Sequence, residues 1–195
     1  MSSFTNIPMF PLSIFPLPGE MVPLHIFEPR YRQLLDDAET KDITFGIYYN
    51  HISNTEKLGS LVKLESVIKR YSTGESDIIV KCMDLFAMNK LYRTYKDKLY
   101  PGGDVSFWKV DNKNPMTGSL KEYFDEYRIW LKITHSEQVV SLFDIANELS
   151  MGFDERLKFV KLSIEKQESY LITQIKYQIQ LMRQAENAKD IFHLN

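Results

Sequence analysis

Residues 8–35, PMFPLSIFPLPGEMVPLHIFEPRYRQLL, decide how the amino-terminal half of this chain folds. The stretch contains six of the chain's eight prolines, with short apolar runs between them. Proline fixes φ and removes a backbone donor, so neither a helix interior nor a central strand can hold so many. We therefore predict extended segments joined by tight turns, with Pro18-Gly19 as one of the turns.

The second half of the stretch predicts a strand followed by a helix. Val22, Leu24 and Ile26 alternate with Pro23 and His25, which is the period of a strand with one buried face. Pro29 favours the first turn of a helix, and Glu28 before it suits the positive end of the helix dipole. Apolar residues then recur at helical spacing, at Tyr31, Leu34, Leu35 and Ala38. The pair Asp36-Asp37 is predicted to lie on the solvated surface of this helix.

The pattern LxxFPLPGExVPLHIFEPRYRxLL, residues 12–35, resembles the opening of the LON domain. That domain is the amino-terminal substrate-binding domain of ATP-dependent Lon proteases, and it also occurs as a stand-alone protein. Weaker similarity continues to about Leu181. The resemblance implies a sheet lobe similar to a PUA-type barrel, then a helical lobe, and a role in recognising polypeptides. The run Cys82-Met83-Asp84-Leu85-Phe86 departs from the family pattern. Members of the family usually have a Gly and an Arg in this strand. Both are missing here, and Phe86 is the one residue of the pattern that is present.

Composition favours a folded protein without a strongly charged partner. The chain has 195 residues, of which 44% are hydrophobic, and its net charge is −2. Such a balance does not indicate nucleic acid or a membrane surface. Cys82 is the single cysteine, so an internal disulfide is excluded and a reducing cytoplasm is favoured. No signal peptide and no membrane-spanning segment are predicted.

The middle of the chain predicts short strands separated by turns. A β-branched and aromatic run favours a strand over 43–49, and an alternating run over 58–71 slips once, which indicates a bulge. The turn 72–75 would return the chain as a hairpin partner over 78–88. A short strand over 91–95, a chain break over 100–104 and a last strand over 105–110 follow. We predict an α+β fold whose first lobe is a small twisted, barrel-like sheet with one helix.

The carboxy-terminal part predicts helices only. A polar linker over 112–118 divides a β-rich lobe, 1–111, from a helical lobe, 119–195. Ser119 and Glu122 are predicted to form a capping box for a helix over 120–133. A second helix is predicted over 136–151, and a third segment from Asp154 to Lys189 would be roughly 50 Å long if unbroken. We therefore expect this last helix either to kink or to project.

No motif for bond-breaking chemistry is present. The chain contains no Gly-Lys pair for a phosphate-binding loop, no Gly-x-Ser-x-Gly and no His-Glu-x-x-His. The resemblance implies a recognition domain without the ATPase and peptidase modules of Lon. We therefore predict no enzyme activity, no catalytic residue and no cofactor. The histidines are scattered and lack metal-ligand spacing, so no metal site is predicted from His25, His51, His135 and His193.

The motif residues are predicted to have structural roles, and the binding surface is predicted elsewhere. Arginine suits bidentate pairing with a carboxylate, which could fix the helix to the sheet. The structural set is Pro16, Gly19, Pro23, His25, Phe27, Glu28, Pro29, Arg30 and Tyr31. Exposed apolar residues on the long last helix would contact unfolded polypeptide or a second copy of the chain; they are Tyr170, Leu171, Ile175, Tyr177, Ile179 and Met182.

The sequence favours a non-enzymatic polypeptide-recognition protein and leaves two alternatives open. One alternative is an enzyme with a pocket near His25 and Glu28. The other is an RNA-binding module on the sheet lobe, where basic residues exceed acidic ones between Lys57 and Lys98. Whether the chain acts with a protease encoded elsewhere, and whether it forms a homodimer, are also left open.

Overall fold

A computed structural model describes residues 4–108, 117–133 and 141–192 of the chain, with side chains as far as residue 188. The α+β class predicted from the sequence is confirmed. The elements in chain order are β1 Thr5–Pro11, β2 Met21–Ile26, α1 Pro29–Lys41, β3 Thr44–Tyr48, β4 Leu58–Arg70, β5 Ser76–Tyr92, β6 Gly102–Phe107, α2 Gly118–Trp130, α3 Leu142–Glu148, α4 Phe153–Lys161 and α5 Ile164–Phe192.

The contacts divide the chain into two compact units. The first is Met1–Val110 together with Gly152–Leu157, and the second is Asp111–Met151 together with Lys158–Asn195. The sequence placed a single division at 112–118, whereas these contacts group Gly152–Leu157 with the strands. Among the described residues, no helix is both long enough and apolar enough to cross a membrane.

The six strands form one sheet that closes on itself. Their order is β2-β5-β4-β3-β1-β6, and β6 also pairs with β5. β5 is long enough for β2 to pair with its first half, from Ser76 to Lys81, and for β6 to pair with its second half, from Phe86 to Tyr92. β1 and β3 are parallel, and the other pairs are antiparallel. The barrel-like lobe predicted from the sequence is confirmed.

The long hairpin of β4 and β5 contains more irregularity than the sequence predicted. The alternation indicated one slip, but the register shifts three times, between Leu61 and Val62, between 64 and 66, and between 67 and 69. Bulges of this kind increase strand twist and allow a sheet to close. The predicted turn is present at 72–75, where Gly74 has φ 87° and donates its N–H to the Tyr71 carbonyl.

Two strand boundaries differ from the prediction. The separate strand predicted over 91–95 does not exist, because β5 continues without a break to Tyr92. The last strand begins at Gly102, so Gly102 and Gly103 belong to β6 and do not break the chain. Glycine is required at Gly102 because a Cβ there would lie 2.9 Å from the Tyr95 ring. The glycines that the sequence analysis interpreted as a chain break are therefore needed because a side chain packs closely against the strand.

The proline-rich stretch folds as predicted. Gly19 has φ 86°, and the Glu20 N–H donates to the Leu17 carbonyl at 3.0 Å, so Pro18-Gly19 forms the turn. The Cys82 N–H donates to the Glu20 carbonyl at 2.9 Å. In an antiparallel ladder, only alternate residues of a strand direct their backbone N–H and C=O groups toward the neighbouring strand. Counting from Glu20, Pro23 is one of the residues of β2 whose backbone groups point away from β5. The missing N–H of Pro23 therefore removes no bond of the ladder.

Helix α1 packs its predicted face on the barrel. Glu28 is the N-cap and Pro29 occupies the first turn. Asp36 is exposed as predicted, but Asp37 is only 7% exposed, so the prediction of a solvated Asp37 is wrong. The end of the helix turns Asp37 toward Tyr100 of the loop between β5 and β6, whose hydroxyl donates to its carboxylate. The predicted apolar stripe is buried, at Tyr31, Leu34, Leu35 and Ala38.

The second unit is built on a parallel pair of helices, α2 and α5. The ammonium of Lys176 lies over the ring of Tyr123, and further along both helices Arg183 donates to Glu126 at 2.6 Å. Since Thr117 contacts Glu168 at the start of both helices, the two run in the same direction. A parallel pair needs a long connection, which α3 and α4 supply.

The structure corrects two predicted helix starts and shows where the predicted last segment breaks. The N-cap of α2 is Thr117, so the predicted capping box of Ser119 and Glu122 is wrong. The helix predicted over 136–151 is α3, which begins at Leu142; a capping box joins Ser141 and Asp144, and 134–140 lie outside the described residues. The segment predicted from Asp154 to Lys189 is broken at residues 162–163 into α4 and α5.

Candidate functional site

A concave surface lies where the ends of β1 and β2 meet the start of α1. We call it the motif groove, because most of its lining comes from the proline-rich stretch. Its volume is about 380 Å³, which is at the small end of the roughly 300–1,000 Å³ typical of ligand sites. The apolar lining is Phe10, Pro11, Leu12, Ile26, Phe27 and Tyr31, and the polar lining is His25, Glu28 and Arg30.

The floor of the groove is buried, and the aromatic ring of Phe27 at its rim is exposed. Phe10, Ile26 and Tyr31 are at most 5% exposed, and the rings of Phe10 and Tyr31 are 4.0 Å apart between centroids. Phe27 is 56% exposed, although Ile26 beside it in sequence is only 3% exposed. Burying an exposed phenylalanine in a complex releases a large apolar area from water. The groove can therefore bind an apolar side chain of a partner.

The polar rim consists of local ion pairs. Arg30 contacts the Glu28 carboxylate through Nε at 2.9 Å and through a terminal nitrogen at 2.8 Å. The predicted pairing of Arg30 is therefore present, but within the same turn, so it does not fix helix to sheet. Arg32 makes that connection instead, by donating to the carbonyl of Thr73 at 3.1 Å.

His25 is held by carboxylates on the neighbouring strand. Its Nδ1 is 2.7 Å from Asp77, its Nε2 is 3.5 Å from Glu75, and its ring is stacked 6.0 Å from the ring of Phe27. Hydrogen bonds from Tyr71 and from His25 lower the pKa of Asp77 below its ordinary value. Among the described residues, the partners of His25 are thus carboxylates and aromatic rings, and they include no Ser, Thr or Cys that could act as a nucleophile.

Other residues of the proline-rich stretch are hydrogen-bonded to the rest of the sheet unit. The buried hydroxyl of Ser60 donates to the carbonyl of Pro16 at 2.6 Å. The carboxylate of Glu20 accepts hydrogen bonds from the Leu17 N–H at 2.9 Å and from Arg156 at 2.6 Å. The Arg156 contact joins the motif to a segment 136 positions later, and no local sequence pattern could have predicted it. Burial raises the pKa of the Cys82 thiol to about 12, so this cysteine is neutral and unreactive.

The six residues predicted to bind polypeptide fall into two groups on α5. Leu171, Ile175 and Ile179 are at most 4% exposed, because they pack inside the helical unit. Tyr177 is 58% exposed, and Tyr170 and Met182 are half-buried. Their role in binding stays a prediction, and only the second group presents side-chain surface in the folded unit. Helical spacing identified the apolar stripe of α5, but it could not show which residues of the stripe would be buried against the other helices.

The described residues contain no group of three or more His, Cys, Asp or Glu side chains that could hold a metal ion. Of the four histidines, His25 and His51 have described surroundings, and His135 and His193 lie outside the described residues. His51 packs edge-on against Phe153, at 5.4 Å between ring centroids, within a cluster of aromatic rings that also contains Tyr49.

Comparisons with known proteins agree with this architecture. A sequence model of the ATP-dependent protease La (LON) substrate-binding domain matches residues 6–191. The fold is similar to that of a Lon N-terminal domain protein from Xanthomonas campestris, at 20% identity and a TM-score of 0.63, over 81% of this chain and 90% of that one. It is also similar to the N-terminal domain of a Lon protease from the Mycobacterium avium complex, at 14% identity and a TM-score of 0.61, over 88% of this chain and 98% of that one.

A search of curated protein sequences finds no match to this chain. The family match nevertheless spans almost the whole of the 195 residues, so within them it leaves no room for an ATPase or a peptidase module. The match includes the proline-rich stretch, the closed sheet and the helices that follow it. The chain therefore belongs to the family of LON substrate-binding domains.

Proposed function

We propose that this protein recognises exposed apolar segments of polypeptides through the motif groove and catalyses no reaction. The observation that carries the proposal is the exposed ring of Phe27 beside a concave, buried apolar floor. Membership of a family named for substrate binding supports a polypeptide as the ligand. The single buried cysteine favours the reducing cytoplasm as the place of action.

The groove suits weak recognition of many sequences. Its apolar lining can bind a large aliphatic or aromatic side chain, whereas its charged groups are largely engaged with one another, as in the pair of Arg30 and Glu28. An aromatic anchor surrounded by a polar rim is the usual arrangement of an interaction hot spot. A small groove with one anchor gives modest affinity, since ordering the bound segment opposes binding.

The two alternative functions have less support. An enzyme near His25 and Glu28 would need a nucleophile or a labile proton within reach, and His25 is surrounded by Asp77, Glu75 and aromatic rings. RNA binding would use positive charge on the sheet lobe, part of which is already paired, as Lys63 is with Asp42 and Arg70 is with Glu39. Binding of RNA would also weaken linearly on a logarithmic salt scale, which apolar recognition would not do.

The proposal is tested by replacing Phe27 with alanine and measuring binding of a reduced and carboxymethylated model protein. We expect the dissociation constant to rise roughly tenfold or more, as for other aromatic anchors. The matched control is Phe107→Ala, because Phe107 is 49% exposed and lies outside the groove. The free energy of unfolding of both variants is measured alongside, so that a loss of folding is not mistaken for a loss of binding.

Three outcomes would contradict the proposal. The first is that the wild-type protein does not bind the model protein saturably. The second is that Phe27→Ala and Phe107→Ala lose affinity equally. The third is that the logarithm of the affinity falls linearly with the logarithm of the salt concentration, as it does for binding driven by charge. Tyr177→Ala on α5 provides a further arm. If it weakens binding as Phe27→Ala should, and Phe27→Ala does not, the predicted surface of α5 is the binding site in place of the motif groove.

A further inference from the structure

A second cavity lies at the carboxy-terminal end of α1 and shares no lining residue with the motif groove. It has a volume of about 550 Å³, within the roughly 300–1,000 Å³ of small-molecule sites. The start of β1, the end of α1 and the loop between β5 and β6 line it. We call it the lysine cavity, because Lys41, Lys96 and Lys98 are part of its lining.

A buried carboxylate fixes two of these lysines. Lys41 is 2.5 Å from one oxygen of Asp37, and Lys98 is 3.0 Å from the other. The hydroxyl of Tyr100 donates to Asp37 at 2.8 Å. Burial alone would raise the pKa of Asp37, but the hydrogen bonds from Lys41, Tyr100 and Lys98 outweigh it and lower the pKa to about 2. Asp37 is therefore ionised at neutral pH, and two ammonium groups share its single negative charge.

The positive charge of the cavity exceeds what Asp37 can balance. Each ammonium carries three N–H donors, so Lys41 and Lys98 keep donors that Asp37 does not use. Among the described residues, no carboxylate pairs with Lys96, whose ammonium lies 5.1 Å from the centre of the Tyr95 ring. The second acidic residue of the lining, Asp42, forms an ion pair with Lys63 outside the cavity at 2.8 Å.

The loop that carries Lys96 and Lys98 is held in one conformation. The Tyr95 N–H donates to the Tyr100 carbonyl at 2.7 Å, and the Lys98 N–H donates to the Tyr95 carbonyl at 2.9 Å. Lys96 has φ 53°, a left-handed conformation that is unfavourable for a residue with a side chain. A fixed loop loses little further entropy when a ligand binds, and this favours binding.

We propose that the lysine cavity binds the phosphate or carboxylate group of a small ligand. The unused donors of Lys41 and Lys98 would contact the oxygens of that group, and Lys96 would add its charge at the rim. An ionised ligand oxygen accepting from an ammonium forms a stronger hydrogen bond than a neutral pair does. This site is independent of polypeptide recognition at the motif groove, since the two share no residue.

A purely structural explanation accounts for only part of the cluster. Neutralising Asp37 would by itself explain Lys41 and Lys98, since their ammonium groups lie 2.5 Å and 3.0 Å from its carboxylate. Among the described residues, Lys96 forms no hydrogen bond or ion pair with that carboxylate, and it is exposed at the edge of the same cavity. Lys96 is therefore the residue whose substitution separates ligand binding from stabilisation of the fold.

The test is a calorimetric titration of the folded protein with inorganic phosphate, at constant ionic strength maintained with sodium chloride. We expect saturable binding to one site. Lys96→Met should weaken it roughly tenfold, because the variant removes one positive charge from the rim of the cavity. The matched control is Lys90→Met: Lys90 also lies over a tyrosine ring, 5.0 Å from the centre of Tyr92, but outside the cavity. It should leave the affinity unchanged.

Parallel titrations with acetate at the same ionic strength distinguish the two ligand classes. Tighter binding of phosphate assigns a phosphate group to the natural ligand, and tighter binding of acetate assigns a carboxylate. The proposal is overturned if neither anion binds saturably, or if Lys90→Met weakens binding as much as Lys96→Met, since the binding would then be diffuse surface electrostatics.

Discussion

The two ends of helix α1 hold their charged side chains in opposite ways. At the amino-terminal end, Glu28 and Arg30 pair with each other while their side chains stay 37% and 46% exposed. At the carboxy-terminal end, the Asp37 side chain is only 9% exposed and is bonded by Lys41 of the same helix and by Lys98 and Tyr100 of the loop between β5 and β6. The first end is a local arrangement in water, and the second is a buried network that ties the helix to the loop before β6.

This difference separates the roles of the two ends. Exposed ion pairs contribute roughly 0–1 kcal/mol, so the groove end can change its charges at little cost to the fold. A buried, ionised carboxylate must keep its partners, because leaving a charge uncompensated is strongly unfavourable. We therefore expect the proposed binding at the groove end to depend on apolar side chains and the proposed binding at the other end to depend on charge.

The largest expected difference in the free energy of unfolding is between variants that replace the carboxylates of Asp37 and Glu28, one at a time. Asp37→Asn should lower the free energy of unfolding by about 2 kcal/mol, because Lys98 and Tyr100 would lose a charged acceptor inside the fold. Glu28→Gln should change it by about 0.5 kcal/mol or less, since its pair is exposed. Urea denaturation of the three proteins provides the measurement. Equal losses in the two variants would mean that the two ends of α1 do not differ as described.

The pH dependence of stability sharpens the same comparison. The pKa of Asp37 is about 2 in the folded protein, below the value of 3.8 for an unperturbed aspartate. A lowered carboxyl pKa contributes stability that is fully present above pH 4 and is lost as the pH falls toward 2, by about 2 kcal/mol in total. The stability difference between wild type and Asp37→Asn should therefore disappear between pH 5 and pH 2. A difference that persists at pH 2 would exclude this role for Asp37.

A smaller effect separates the two tyrosines that pack at the ends of α1. Tyr100→Phe removes the hydroxyl that donates to Asp37 and should cost about 1 kcal/mol. Tyr31→Phe should cost less than about 0.5 kcal/mol, because the Tyr31 hydroxyl has no hydrogen-bond partner among the described residues and the ring contacts with Phe10 remain. Thermal unfolding of both variants gives the comparison, and a greater loss for Tyr31→Phe would reverse the assignment.

The predictions that succeeded rest on short-range physics. The Pro18-Gly19 turn, the alternation of β2 and the start of α1 at Pro29 follow from constraints within a few residues, and the structure contains all three. Predictions failed where a distant residue decided the outcome. The sequence predicted a solvated Asp37, but in the structure Tyr100 and Lys98 of the loop before β6 bind its carboxylate. The sequence predicted a chain break at Gly102, but this glycine lies in β6, where the Tyr95 ring packs against it.

The binding residues show the same limit on a larger scale. The periodicity of α5 identified Leu171, Ile175 and Tyr177 as apolar positions of one helix, but it could not tell which of them the neighbouring helices would cover. The first two are buried, and Tyr177 is exposed. The sequence indicated a pocket near His25 and Glu28 only as the enzyme alternative. It could not show that Phe10 and Phe27 line the same groove, because that depends on where β1 and β2 lie in the sheet.

The sequence by itself determined the family, the α+β class and the local form of residues 8–35, because proline, glycine and apolar spacing restrict the backbone directly. The tertiary structure alone decided that the sheet closes through β5 and β6, that Asp37 is buried and ionised, and that Phe27 stands beside a groove. The physical reason is that burial and charge pairing depend on contacts between residues far apart in the chain, and no local pattern encodes those contacts.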